Sequence, residues 1–168
     1  MEENKKRCFV MMPFSDGKEY PEGHFKKVYE QIITPAVVEA GYVPYRVDED
    51  KICDSIINKI FEGIQNCEMS ICDLSGNNPN VLYELGLRQA YDKPVVLIKD
   101  EKTKRVFDIS GINTVPYSSQ RLYEDVLEAR EKIKGAINAT REGKVHSVVQ
   151  IVKAETASIS LDAMTQND

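Results

Sequence analysis

Short apolar runs alternate with segments of helical periodicity, and this alternation constrains the fold more than any other feature of the sequence. Five runs have the length and composition of strands: 7–12, 42–47, 69–74, 95–98 and 113–117. Four segments space their apolar residues as one helical face does: 25–40, 55–64, 78–91 and 120–141. The pattern predicts an α/β fold, a parallel sheet with helices on both faces.

The predicted strand order also indicates where a ligand would bind. We expect a flavodoxin-like, five-stranded sheet of order 2-1-3-4-5. In such sheets ligands bind beyond the carboxyl ends of the strands, where the strand order reverses. Here that point lies between the first and third strands. The loops at 13–23, 47–54 and 74–80 should therefore border the site.

Size and composition indicate one ordinary globular domain. The chain has 168 residues, 42% hydrophobic and 29% charged. Its net charge of -5 comes from 27 acidic and 22 basic residues mixed along the chain, so nucleic acid is not an expected partner. No apolar run approaches the roughly 20 residues that span a bilayer, and residues 1–7 lack the apolar core of a signal peptide. We expect no membrane association and a cytoplasmic location.

The cysteines and histidines give no sign of a disulfide framework or a metal site. The four cysteines form no CxxC pair, and we interpret them as reduced core residues: Cys8, Cys53, Cys67 and Cys72. His24 and His146 lie far apart without a ligand cluster at suitable spacing. The sequence therefore predicts no metal.

The segment 71–86, Ile-Cys-Asp-Leu-Ser-Gly-Asn-Asn-Pro-Asn-Val-Leu-Tyr-Glu-Leu-Gly, places carboxylates and asparagines at the predicted ligand edge. Asn78 suits the N-cap of the following helix and Pro79 its first position. Glu84 then lies in the second turn, where it can face the cleft. The alternative is an exposed glutamate paired with Arg88, four residues on. If Glu84 is buried among apolar neighbours, its burial is costly unless a cationic group lies near it.

This segment, together with other strings of the sequence, resembles TIR-like domains and the related nucleoside 2-deoxyribosyltransferase superfamily. The resemblance covers roughly residues 7–117. The other strings are Phe9-Val-Met-Met-Pro-Phe14, Ala40-Gly-Tyr42, Arg46-Val-Asp48, Lys93-Pro-Val-Val96 and Phe107-Asp-Ile109.

The resemblance implies that Glu84 acts on the anomeric carbon of a ribosyl group. A carboxylate there can stabilise an oxocarbenium-like transition state or attack as a nucleophile, and the sequence leaves both open. Asp73 is a second catalytic candidate, as a general acid or a ligand of ribose hydroxyls. It could instead cap the turn that follows its strand.

Six further residues are candidates for substrate binding: Phe14, Ser15, Asp16, Arg46, Asn77 and Asn80. An aromatic ring at 14 could stack on a base, and a guanidinium at 46 could bind a pyrophosphate through paired hydrogen bonds. Each has a structural alternative. Residues 14–16 could form a plain turn, Arg46 could pair with Asp48 or Glu49, and the asparagines could only cap the helix.

By resemblance, the leading hypothesis is a TIR-type NAD glycohydrolase, an antiphage defence effector activated by oligomerisation. No GxGxxG or P-loop occurs, so NAD is expected as substrate and no cofactor is expected. We assign residues 1–143 to the catalytic domain and 144–168 to a C-terminal segment or linker. That segment could lead to a cyclic-dinucleotide sensor domain of the STING type. The alternatives are a nucleoside or nucleotide 2-deoxyribosyltransferase or N-glycosidase, and a non-catalytic TIR-like adaptor.

Overall fold

The computed structural model describes residues 6–47, 53–104 and 114–152 and contains one parallel sheet. Its strands are β1 (Arg7–Met11), β2 (Val43–Tyr45), β3 (Met69–Asp73), β4 (Val96–Asp100) and β5 (Thr114–Tyr117). Its α-helices are α1 (His24–Val28), α2 (Thr34–Glu39), α3 (Cys53–Asn66), α4 (Pro79–Ala90), α5 (Tyr123–Arg141) and α6 (Val148–Val152). The predicted loop at 47–54 falls mostly outside the described residues.

The sheet has the order β2-β1-β3-β4-β5, which confirms the predicted topology. Every pair of neighbouring strands is parallel. β1 is an interior strand, because the chain leaves it to form β2 on one side and returns to form β3 on the other. The order therefore reverses between β1 and β3, as predicted, and the loops after these strands meet at one edge.

Helices cover both faces of the sheet and produce two apolar layers. Alternate residues of β1 belong to different layers, because side chains on a strand alternate between faces. Cys8 and Val10 pack with α1, α2 and α5, whereas Phe9 and Met11 pack with α3 and α4. The described cysteines Cys8, Cys67 and Cys72 are free and buried, which agrees with the reduced state predicted for them.

Pro35 is accommodated by an irregular helix. Between α1 and α2 the chain forms a π-helical segment, Tyr29–Ile33. Proline has no N–H, so the carbonyl of Gln31 loses the helical donor four residues on. That carbonyl instead accepts a hydrogen bond of 2.7 Å from Nε of Arg130 in α5. The break in the helix is thus satisfied from the neighbouring helix.

α3 approaches the sheet closely at Gly63. A Cβ at this position would lie 2.5–2.8 Å from ring atoms of Phe9, closer than carbon atoms can approach. We expect Gly63→Ala to lower the free energy of unfolding by about 1–3 kcal/mol through overpacking. Gly135 in α5 is the matched control, since no neighbouring side chain lies within 4 Å of the place that an added methyl group would take.

Gly135→Ala should raise the free energy of unfolding by about 0.5–1 kcal/mol, because alanine loses less backbone entropy in a helix. Urea denaturation of both variants measures the two effects. Equal changes at the two positions would contradict the close contact between α3 and Phe9.

The beginning of the C-terminal segment lies beside the domain. The Ser147 hydroxyl donates to the Asp92 carboxylate, and α6 follows it. The predicted division at residue 143 stays a prediction. In the described parts of the chain, no helix is both long and apolar enough to cross a membrane.

Candidate active site

Helix α4 holds Glu84 at the carboxyl edge of the sheet. As predicted, Asn78 is its N-cap: the side-chain oxygen accepts from the N–H groups of Asn80 and Val81, and Pro79 follows. Glu84 is only 8% exposed, in the second turn. Its helix neighbours Val81 and Leu85 belong to the apolar layer between the helix and the sheet.

Glu84 lies near the junction of β1 and β3. Its charge contributes, after burial and Asp73, to raising the pKa of the Cys72 thiol. Cys72 pairs in register with Met11 of β1. The carboxyl group is therefore close to the point where the strand order reverses, which is where the topology predicts a ligand.

Burial raises the pKa of Glu84 from 4.5 to about 7. Desolvation is the cause, because low-dielectric surroundings disfavour the charged form. Among the described residues no cation forms a salt bridge with this carboxyl group. The ionised form of this carboxyl group has no counter-charge among those residues and would gain from a cationic partner.

Arg88 is not that partner, so the alternative of a surface Glu84–Arg88 pair does not describe this helix. The Arg88 side chain is fully buried and points elsewhere. Its guanidinium donates to the carbonyl of Ile64 at 2.5 Å and to the carbonyl of Pro94 at 3.2 and 3.0 Å. It therefore links the end of α3 to the loop before β4.

Asp73 ends β3 and is fully buried, with both carboxylate oxygens in hydrogen bonds. Oδ1 accepts from the N–H of Ser75 at 3.0 Å, and Oδ2 from the Tyr117 hydroxyl at 2.8 Å. The Ser75 bond is the turn-capping arrangement considered as an alternative for this residue. Burial raises the pKa of Asp73 to about 6, while the bonds from Ser75 and Tyr117 act to lower it. Asp73 is thus held within the structure beside the site.

Hydroxyl groups connect Asp73 to a second buried aspartate, Asp100 at the end of β4. The Ser75 hydroxyl lies 2.9 Å from that of Tyr117 and accepts from the N–H of Asp100 at 2.9 Å. Tyr20 and Thr103 each donate a hydroxyl to the Asp100 carboxylate at 2.6 Å. This network joins the carboxyl ends of β3, β4 and β5. It fixes the loop that leads into α4.

We expect Tyr117→Phe to destabilise the protein by about 1–3 kcal/mol at pH 8, because it leaves a buried carboxylate without its donor. The folded pKa of Asp73 already lies above its ordinary value of 3.8 and should rise further in the variant. The additional loss in the variant appears as pH rises above the wild-type folded pKa of about 6, so the loss should be smaller at pH 5. Thermal unfolding at both pH values measures this, with the exposed Tyr83→Phe as control. A loss independent of pH would contradict the contact.

The structure brings Phe14 and Arg46 together. The Arg46 guanidinium lies 5.2 Å from the ring centre of Phe14 and 5.2 Å from that of Tyr29. Phe14 is 43% exposed, so part of its ring is open to a ligand. The alternative partners Asp48 and Glu49 lie outside the described residues.

Ser15 and Asp16 line a cleft of about 230 Å³ between the loops after β1 and β3. Asp16 also caps the following helix, since its carboxylate accepts from the N–H groups of Gly23 at 2.7 Å and Phe25 at 2.8 Å. Both oxygens of the Asp16 carboxylate therefore accept from backbone N–H groups. Glu84 is not among the residues lining this cleft.

The two asparagine candidates differ in their surroundings. Asn77 has a positive φ of 49° and its side-chain amide donates to the carbonyl of Lys104 at 2.9 Å. Asn80 is exposed in the first turn of α4 and its side chain is open to solvent. Within the described ranges, no group of three or more His, Cys, Asp or Glu side chains could hold a metal ion.

The sequence analysis did not identify Tyr117, Ser75 or Tyr29 as residues of the candidate site. Periodicity marks Tyr29 only as a core position, and Tyr117 only as the last residue of a strand. A buried strand-end hydroxyl usually needs a partner, and this was the one signal available for Tyr117.

Comparison with known proteins supports the fold. No protein-family model and no curated protein matches the chain. Among solved structures, the chain is similar to the CMP N-glycosidase BcmB of Clostridium botulinum, with a TM-score of 0.55 and 18% sequence identity. The match covers 76% of this chain and 98% of that protein. The described sheet and helices thus correspond to nearly the whole of that structure.

Proposed function

We propose that the chain is an N-glycosidase that cleaves the bond between the base and the ribose of a nucleotide, with Glu84 as the essential carboxylate. One observation carries the proposal. Glu84 is a buried carboxylate with a raised pKa and no counter-charge among the described residues, close to the junction of β1 and β3. A site of this kind is suited to bind developing positive charge.

The chemistry needs little more than such a carboxylate. As the C–N bond breaks, the base departs with the electron pair and the ribose ring becomes oxocarbenium-like. An ionised Glu84 would stabilise this positive charge, or form a bond to the anomeric carbon that water then cleaves. The low dielectric that raises its pKa also strengthens its attraction for the cationic centre. Water supplies the hydroxyl group of the product.

NAD is the substrate that we propose first. Nicotinamide leaves NAD as a neutral molecule without protonation, whereas other bases generally leave more easily when a general acid protonates them. Both oxygens of Asp73 are occupied and its side chain is fully buried, which disfavours Asp73 as that acid. This arrangement supports a leaving group that needs no acid.

A pyrimidine nucleotide is the second candidate substrate. It is favoured by the fold similarity to a protein described as a CMP N-glycosidase, whose chain is matched over 98% of its length. A deoxyribosyltransferase would use the same carboxylate with a second base in place of water.

The predicted biological role extends the NAD proposal. Self-association as the switch, an antiphage role and a cyclic-dinucleotide sensor domain beyond the C-terminal segment all stay predictions from the resemblance. In the alternative role as an adaptor, Glu84 would only support the fold. A buried carboxylate without a counter-charge is a costly structural element, and this argues against that alternative.

The test is incubation of the wild-type protein with NAD and with CMP, at low and high protein concentration, with chromatography of the released bases. We expect nicotinamide from NAD. A rate per molecule that rises steeply with concentration would support self-association as the switch.

Parallel reactions contain deoxynucleosides with a second free base. Cytosine from CMP with NAD intact would favour the second candidate, and base exchange would identify a transferase. No released or exchanged base in any reaction would contradict the proposed function.

A further inference from the structure

Arg46 lies between two aromatic rings at the carboxyl edge of the sheet. It follows β2 directly, while Phe14 belongs to the loop after β1 and Tyr29 to the helix that this loop leads into. Each ring centre is 5.2 Å from the guanidinium carbon. Both ring contacts favour this position of the guanidinium.

Two other described arginines contact aromatic rings, and both also have oxygen partners. Arg7 lies 4.8 Å from the ring centre of Tyr45 and donates to Glu62 at 2.8 Å. Arg141 lies 5.8 Å from the ring centre of Tyr42 and donates to the carbonyl of Ala40 at 2.9 Å. Among the described residues Arg46 has ring contacts only, and its Nε is buried without a hydrogen-bond partner.

Within the described part of the chain, Nε on the hydrogen-bonding edge of this guanidinium has no acceptor. Aromatic rings contact the flat faces of a guanidinium, whereas its N–H groups point outward in its plane. A buried N–H without a partner is unfavourable, so a ligand oxygen at this edge would be stabilising. The planar fork of donors matches the oxygens of a phosphate.

We propose that Arg46, held by Phe14 and Tyr29, binds a phosphate of the substrate, so that the site acts on nucleotides rather than on nucleosides. The statement that the bound nucleotide is cleaved rests on the proposed function. β1, which leads into the loop of Phe14, lies between β2 and β3, and Glu84 is near the β1–β3 junction. The phosphate end of a nucleotide would thus lie on the β2 side of the anomeric carbon.

The catalytic test compares substrates with and without phosphate groups: CMP with cytidine, which differ by one phosphate alone, and NAD with nicotinamide riboside, which lacks the diphosphate and the adenosine. For whichever of the two nucleotides the wild type cleaves faster, we expect a kcat/KM about 10- to 100-fold higher than for the corresponding nucleoside. Arg46→Met keeps an unbranched side chain against the rings and removes the charge. It should bring the ratio near unity, because the nucleotide reaction should slow more than the nucleoside reaction.

Arg7→Met is the matched control, because it also removes an arginine from an aromatic ring but lies at the opposite edge of the sheet. It should keep the preference of the wild type. Thermal unfolding of both variants establishes that they are folded. An equal loss for nucleotide and nucleoside in Arg46→Met, or a wild type without preference, would overturn the proposal.

Binding to the Glu84→Gln protein separates this inference from the proposed reaction. Calorimetric titration with CMP, cytidine, NAD and nicotinamide riboside should show tighter binding of the phosphorylated compounds, and adding Arg46→Met should remove the difference. If the wild type releases no base but phosphorylated compounds bind more tightly through Arg46, the proposed reaction is wrong and phosphate recognition by Arg46 is supported. Binding of phosphorylated ligands that does not depend on Arg46, or is not measurable, would overturn the inference.

Discussion

Glu84→Gln is expected to slow base release by about 10³-fold while leaving the fold intact. Glutamine has nearly the same shape as glutamate but cannot become an anion, so it cannot stabilise the cationic transition state or attack the anomeric carbon. The wild-type rate should rise with pH through about 7, the pKa to which burial raises the Glu84 carboxyl group. Chromatography of released base across pH 5–9 measures both effects.

The same substitution should make the protein more stable at alkaline pH. The folded pKa of Glu84 is raised from 4.5 to about 7, so the folded state binds this proton more tightly than the unfolded state. Ionisation therefore costs stability as pH rises from about 4.5, and the full cost is present above about 7. Removing the charge should raise the free energy of unfolding at pH 8 by up to about 3 kcal/mol, and by little at pH 4.

Glu128→Gln is the control for both measurements, because Glu128 is an exposed glutamate on α5. It should change neither the rate nor the pH dependence of stability. If Glu84→Gln lost stability at pH 8, the carboxylate would have a favourable partner that the described contacts do not include. If its activity remained, another group would carry the reaction.

Arg88→Met is expected to lower the free energy of unfolding by about 3 kcal/mol. The fully buried guanidinium donates hydrogen bonds to the carbonyls of Ile64 and Pro94, and methionine would leave both without this donor. Burial lowers the pKa of Arg88 to about 10, so the side chain is still charged at neutral pH. Guanidinium chloride denaturation measures the loss.

A second variant and an activity assay separate the structural role of Arg88 from a catalytic one. Arg88→Lys keeps the charge but lacks the planar fork, so it should recover only part of the lost stability. Well below the unfolding temperature, both variants should retain the kcat of the wild type, because Arg88 forms no ion pair with Glu84. A loss of kcat comparable to that of Glu84→Gln would contradict this separation.

The sequence could predict those features that depend on short-range patterns. The strands, the order of the sheet and the N-cap at Asn78 follow from periodicity and from residue preferences within a few positions. Val81, Leu82, Leu85 and Leu87 beside Glu84 in the helix favour its burial, although the spacing alone also allows an exposed pair with Arg88. The raised pKa follows from that burial and is not a separate finding.

Other features depend on contacts between distant residues, which no local spacing reveals. Tyr117 reaches Asp73 across β4, and Tyr20 reaches Asp100 from a loop near the start of the chain. The spacing of Arg88 from Glu84 suits an ion pair on a helix. Its guanidinium instead donates to the backbone carbonyls of Ile64 and Pro94. The capping role of Asp16 likewise depends on the path of the loop to Gly23 and Phe25.

The position of β1 between β2 and β3 affects how the chain folds during synthesis. Cys8, Phe9, Val10 and Met11 are made before both of their partner strands, which end at Tyr45 and Asp73. Until both strands have formed, the apolar β1 has unpaired edges that other chains could pair with. Parallel pairing over such separations is slow, because each loop must close before its contacts form. On a ribosome, the early chain would therefore be a natural client for a chaperone until β3 has emerged.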